Sequence, residues 1–215
     1  MSIELVKVTK GFKNKPLFHD FSYTFEKGKT YVILGDNGVG KSVLLRMICG
    51  FSLCDSGKIL IDGKQLGKEY DFIQNAGVCI NNPDFVPYLS GIKNLEIIAS
   101  IKKICGKEDL YKWADIFEMK GEIDRTYRKY SMGTKQKLRL IQAFMEDPEY
   151  IILDEPFNGL DHSVKKKLIE IIRNEQKKGK TMILTSHYLE EVSQFDCEIL
   201  ELTKNHLEKV MHNES

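Results

Sequence analysis

The run Gly35-Asp36-Asn37-Gly38-Val39-Gly40-Lys41-Ser42 joins an apolar segment to a helix-forming one, and this junction constrains the fold more than any other stretch. The preceding Thr30-Tyr31-Val32-Ile33-Leu34 is β-branched and apolar, the pattern of a central strand buried on both faces. The following Ser42 to Cys49 has few β-branched residues and stops at Gly50, which reads as a helix with a glycine cap. Between the two, glycines let the backbone wrap closely, so that successive N–H groups converge on an anion. The helix N-terminus faces the same anion. The spacing G-x-x-x-x-G-K-[ST] sets Lys41 against the β- and γ-phosphates of a nucleotide and the Ser42 hydroxyl against Mg²⁺, with Val43 beside them.

Tyr150-Ile151-Ile152-Leu153 is a second buried strand, lying between Pro148 and Pro156 and ending in Asp154-Glu155. Burying adjacent carboxylates is costly unless cations or hydrogen bonds offset it. Taken alone, the pair reads as an exposed acidic turn closed by Pro156. Beside a phosphate loop the reading changes, because ligands sit at the C-terminal edge of a parallel sheet. There Asp154 holds Mg²⁺ through its water shell, and Glu155 orients or deprotonates an attacking water.

The rest of the chain fits around these two strands. Ile3 to Val8 and Leu17 to Phe25 read as antiparallel strands, followed by a turn at Glu26-Lys27-Gly28-Lys29. Asn94 to Ile104, Lys107 to Phe117 and Thr134 to Met145 have helical periodicity, which places a helical insertion at about 83–147. Strands and helices then alternate again: Ser163 to Lys178 is a helix stopped by Gly179, Thr181 to Thr185 a strand, Tyr188 to Gln194 a short helix and Ile199 to Leu202 a last strand. The expected fold is α/β, with a P-loop NTPase core, an N-terminal antiparallel β-subdomain and an inserted helical subdomain, all in one domain over 1–215.

Composition excludes several classes. A net charge of +1 over 215 residues argues against a protein that grips nucleic acid through a basic face. The short basic runs at Lys165-Lys166-Lys167 and Lys177, Lys178, Lys180 are interrupted by apolar and acidic residues and read as a solvated helix face. Five cysteines, without any C-x-x-C pair, argue against a disulfide framework or a zinc site and for a reducing compartment. Met1-Ser2-Ile3-Glu4 lacks the layout of a signal peptide, and no apolar run approaches the ~20 residues of a membrane helix. If the protein works at a membrane, another polypeptide spans it.

Taken together, the motifs resemble the ATP-binding-cassette (ABC) ATPase family from about Ile3 to Val210. The order carries the resemblance. The phosphate loop comes first. Tyr130-Ser131-Met132-Gly133-Thr134-Lys135-Gln136 is similar to the family signature, usually Leu-Ser-Gly-Gly-Gln; Asp154-Glu155 follows; Asn158-Gly159-Leu160-Asp161 lies where the family has its D-loop; His187 in Leu184-Thr185-Ser186-His187 lies at the switch histidine. Phe12 takes the place of the aromatic that stacks on adenine, although a lone Phe is more often core. Outside this order, His187 reads as structural and Ser131 as the N-cap of the helix after it.

The resemblance implies a pair of cassettes, homodimeric or related, with ATP and Mg²⁺ sandwiched between one subunit's loop and the other's Ser131 and Gly133. It implies that His187 contacts the γ-phosphate, and that a separate transmembrane permease docks near Asn81 and the helical insertion. Two places depart from the pattern. The Q-loop glutamine, a ligand of Mg²⁺ or water, falls at Asn81, one methylene shorter, and the signature carries Met132 and Thr134. Both departures resemble a branch of bacterial exporters and peptide-antibiotic resistance pumps. A membrane-peripheral cytoplasmic location follows. The competing expectations are a soluble ABC ATPase of translation or DNA repair, which usually has two cassettes or a long coiled-coil insertion, and a module that binds ATP without hydrolysis, which Glu155 and His187 oppose. No regulatory domain is expected after the last strand.

Overall fold

The computed structural model describes residues 2–12, 15–80, 84–187, 189–203 and 206–210. In chain order the elements are β1 (Ser2–Phe12), β2 (Lys15–Glu26), β3 (Thr30–Leu34), α1 (Lys41–Ile48), β4 (Ser56–Ile61), β5 (Lys64–Gln65) and β6 (Ala76–Cys79). Then come α2 (Gly91–Lys102), α3 (Lys107–Ile116), α4 (Met132–Phe144), β7 (Tyr150–Leu153), α5 (His162–Lys177), β8 (Thr181–Thr185), α6 (Leu189–Val192), β9 (Glu198–Leu202) and β10 (Leu207–Lys209).

Among the described residues the strands form two sheets. One is antiparallel, in the order β2-β1-β4-β5; the other runs β10-β9-β3-β8-β7-β6 and is parallel apart from its β10 edge. The apolar runs that read as doubly buried strands are these parallel ones. β7 and β8 are buried at every position, and β3 at all but its last. Alternate side chains supply two separate cores. Val32, Ile151, Leu153, Met182 and Leu184 pack with α2 to α5 on one face. Tyr31, Ile33, Tyr150, Ile152 and Ile183 pack with α1 and the antiparallel sheet on the other.

The predicted strands at Tyr150 to Leu153 and Thr181 to Thr185 match to the residue, and the helices to within three residues at their ends. The short helix expected from Tyr188 to Gln194 is confined to Leu189–Val192 among the described residues, and Tyr188 lies outside them. β4, β5, β6 and β10 were not anticipated. Between β6 and β7 the chain runs through α2, α3 and α4, and α4 packs on β6 and β7. Asn81, Asn82 and Pro83, which carry the Q-loop expectation, lie outside the described residues.

Candidate nucleotide site

The loop from Gly35 to Gly40 depends on glycine. Gly35 (φ 148°), Gly38 (φ 82°) and Gly40 (φ 117°) all lie at positive φ, where a side chain is strained. Space matters too: a Cβ on Gly35 would come within 2.7 Å of the Leu202 carbonyl oxygen. Val39 N–H donates to the Asp36 carbonyl at 3.3 Å, closing the turn, and Gly40 is the N-cap of α1 without any side-chain cap. The first N–H groups of α1 therefore remain free of a side-chain partner at a helix N-terminus, an arrangement suited to an anion.

Lys41 is buried at the first position of α1. Its Nζ donates to the Gly35 carbonyl at 2.6 Å and to the Asp36 carbonyl at 3.3 Å, so the ammonium folds back into the loop. Burial lowers its pKa below the ordinary lysine value, and the carboxylates of Glu155, Asp154 and Asp36 oppose that shift.

Glu155 approaches from β7. Its Oε1 lies 2.7 Å from His187 Nε2 and 4.0 Å from Lys41 Nζ, and Lys41 Nζ is 3.5 Å from His187 Nε2. Oε1 is buried, and the donor within its reach is His187 Nε2 in the tautomer that carries hydrogen there. Oε2 accepts from Asn158 Nδ2 at 3.4 Å. Burial pushes the carboxyl up from the usual glutamate value; the neighbouring His187 and Lys41 oppose the shift, and Asp154 and Glu191 add to it. Asp154 N–H donates to the Cys79 carbonyl at 2.7 Å, which ties the acidic corner to β6.

These residues meet in a cleft of about 460 Å³ lined by Phe12, Leu17, Asp36, Asn37, Gly38, Gly40, Lys41, Ser42, Val43, Glu155, Asn158 and His187. Phe12 is half exposed at its rim, with Lys10 Nζ 5.3 Å from the ring centroid. Gly35 and Val39 shape the loop without lining the cleft. Asp154 lines a neighbouring cleft of about 540 Å³ with Tyr130, Met132, Lys135, Gln136, Arg139 and Gly159, and Glu155 and Asn158 wall both. Ser131 and Gly133 line neither. Ser131 caps α4, accepting from Thr134 N–H at 3.1 Å, and Gly133 leaves no room for a Cβ, which would come within 2.6 Å of the Gly159 carbonyl oxygen. The larger hollow of about 990 Å³ beside Lys29 and Arg173 contains none of the sequence-predicted residues.

Two contributors escaped the sequence reading. Asn158 was seen only as part of a loop motif, although its amide type and its three-residue spacing from Glu155 could have flagged it. Thr185 has a fully buried hydroxyl between Asp154 and Glu155, and only the strand register brings it there. For Mg²⁺, Ser42 and Asp154 offer hard oxygen donors, and no group of three or more His, Cys, Asp or Glu side chains forms a protein cage among the described residues. That donor set fits a cation that keeps several waters and takes the rest of its shell from phosphate.

Comparison with known proteins gives the family. A family model described as ABC transporter matches residues 18–158. The ABC transporter ATP-binding protein YybJ of Bacillus subtilis (strain 168) is 36% identical over 207 residues, covering 96% of this chain and 94% of that one. The bacitracin transport ATP-binding protein BcrA of Enterococcus faecalis is 28% identical over 95% of this chain and 67% of its own length. The linearmycin resistance ATP-binding protein LnrL of Bacillus subtilis (strain 168) is 30% identical over 91% of this chain, which spans only 64% of LnrL. In fold, the chain is similar to the dimeric cassette MJ0796, described as a bacterial ABC transporter cassette, at a TM-score of 0.83 and 20% identity, covering 97% of this chain and 99% of that one. The chain belongs to the ABC transporter family, as one of its ATPase cassettes.

Proposed function

We propose that this chain is the ATP-hydrolysing subunit of an ABC exporter, working at the inner face of the cell membrane through a separate membrane-spanning subunit. One observation carries the chemical part of the reading: the carboxylate of Glu155, the imidazole of His187 and the ammonium of Lys41 converge over the glycine loop. In this reading the triphosphate lies along Gly35 to Val43. Lys41 exchanges its loop carbonyls for the β- and γ-phosphates, and Phe12 stacks on adenine. Ser42 and Asp154 would hold Mg²⁺, with Asn81 the third candidate, and the ion would supply neutralisation of phosphate charge.

The step is phosphoryl transfer to water. The water oxygen attacks the γ-phosphorus, its proton passes to the Glu155 carboxylate, and the bond from the γ-phosphorus to the β–γ bridging oxygen breaks as ADP leaves. A carboxyl raised by burial is a better base than one at its ordinary value. His187 orients Glu155 and contacts the γ-phosphate. Ser131 and Gly133 line neither cleft of their own chain, which supports their acting in trans on the nucleotide of a second cassette, at the N-terminus of α4.

The relatives named for bacitracin transport and linearmycin resistance support export over import. No helix among the described residues is long and apolar enough to cross a membrane, which supports a distinct spanning partner. Affinity purification of the tagged chain from gently solubilised native membranes tests this. The expected result is a stoichiometric multi-span protein in the eluate. Recovery only from the soluble fraction, with ribosomes or DNA, would overturn the transport assignment and leave the ATPase standing.

A further inference from the structure

β7 and β8 are parallel neighbours, with Leu153 beside Leu184. Their next residues, Asp154 and Thr185, therefore stand side by side at the C-terminal edge of the sheet. Thr185 is fully buried. Its Oγ1 donates to Asp154 Oδ1 at 2.7 Å and accepts from the Glu155 backbone N–H at 2.8 Å. The direction is fixed by the backbone: the N–H only donates, so the hydroxyl accepts there and turns its own hydrogen to the carboxylate. One hydroxyl thus fills both of its roles against adjacent residues.

Glu155 needs such a restraint. Its φ of 49° is left-handed, an unfavourable backbone for a residue with a Cβ, and strain of this kind persists only where the surroundings hold it. The same strand end carries His187 two residues on, and Ser186 N–H donates to the Ile33 carbonyl at 3.3 Å, which anchors that turn to the central strand. Thr185 is thereby linked to each partner of the acidic corner without lining either cleft.

We infer that Thr185 is a positioning residue that sets the Asp154 carboxylate and the Glu155 backbone together for hydrolysis. This rests on the roles proposed above for those two carboxylates.

The test is Thr185→Val, which keeps the shape and removes the hydroxyl, with Thr185→Ser restoring it. Steady-state hydrolysis, its Mg²⁺ dependence, ATP affinity without Mg²⁺ and the melting temperature are measured on each. Small displacements of reacting groups cost up to about 10²-fold, so Thr185→Val is expected to lower kcat by about ten- to hundredfold. The Mg²⁺ concentration for half-maximal activity rises, Mg²⁺-free ATP affinity stays within about twofold, and Thr185→Ser recovers most of the rate. If Thr185→Val does not fold, Thr185→Ala carries the same comparison with less bulk. A hydroxyl-free variant with wild-type kcat and Mg²⁺ dependence, or a Thr185→Ser as impaired as Thr185→Val, would overturn the inference. Glu155→Gln separates the two claims: if it hydrolyses ATP normally, the reading of Glu155 fails; if it is inactive and Thr185→Val is not, only the inference fails.

Discussion

Glu155 and Lys41 are both moved by burial towards their neutral forms, and each is drawn back by the other's charge. Within the chain Glu155 faces His187 at 2.7 Å, and Lys41 directs its hydrogen bonds at loop carbonyls. A phosphate is a better partner for the ammonium than two carbonyls. Asp161 shows the opposite electrostatics. It is the N-cap of α5, accepting from Val164 N–H at 3.0 Å and from the Ser163 hydroxyl at 2.8 Å. The Val164 bond is the largest cause of a pKa held down to about 2, with Ser163 and Lys137 contributing. A depressed carboxyl contributes stability above its unfolded value and loses it as pH falls through its folded one. Asp161→Ala is therefore expected to cost about 1 kcal/mol at pH 7, at the modest end because the carboxylate is partly solvated. Urea unfolding should show that gap closing between about pH 4 and pH 2. A gap that persists at pH 2 would mean that the loss is one of packing, not of the charged cap.

At the scale of elements, β6 carries the acidic corner's anchor, since the Cys79 carbonyl accepts from Asp154 N–H. Ala76-Gly77-Val78-Cys79 escaped the sequence reading because it has little β-branching and a glycine at its centre. The structure explains the glycine: a Cβ there would collide with the Ala143 carbonyl oxygen of α4 and crowd Pro148. Gly77→Ala is expected to destabilise by at least about 2 kcal/mol in chemical denaturation, since neither backbone can yield without moving α4. A neutral effect would show that α4 shifts freely against the sheet. The same contrast runs through the rest of the fold. Thr181 to Thr185 and Tyr150 to Leu153 were legible because burial on both faces writes itself as an unbroken apolar run. β4, whose first half is exposed, and the three-residue β10 carry no such run. Of the site, the glycine loop, Lys41, Glu155 and His187 were readable from local patterns and their order. Thr185 was not, because its role arises from strand register, which joins it to Asp154 across 31 positions of chain.

For the whole molecule, the proposed site divides between two surfaces of the chain. Phe12, the loop, Glu155 and His187 share a cleft, but Ser131 and Gly133 line neither it nor its neighbour. Gln136, buried on α4 one turn beyond Met132, donates to the Pro156 carbonyl at 3.2 Å and ties α4 to the loop after Glu155. The proposed function pairs two cassettes head to tail, one signature segment over the other's cleft, with closure driven by ATP. Removing the proposed base while keeping its shape should separate closure from chemistry. The most direct measurement is therefore steady-state hydrolysis by Glu155→Gln, with ATP binding and sedimentation followed on the same preparation. General-base contributions run to about 10²–10⁴-fold, so the rate is expected to fall by at least about a hundredfold while ATP still binds and the sedimenting species shifts from monomer to dimer. Hydrolysis at the wild-type rate would contradict the assignment of Glu155 and, with it, the account of this site.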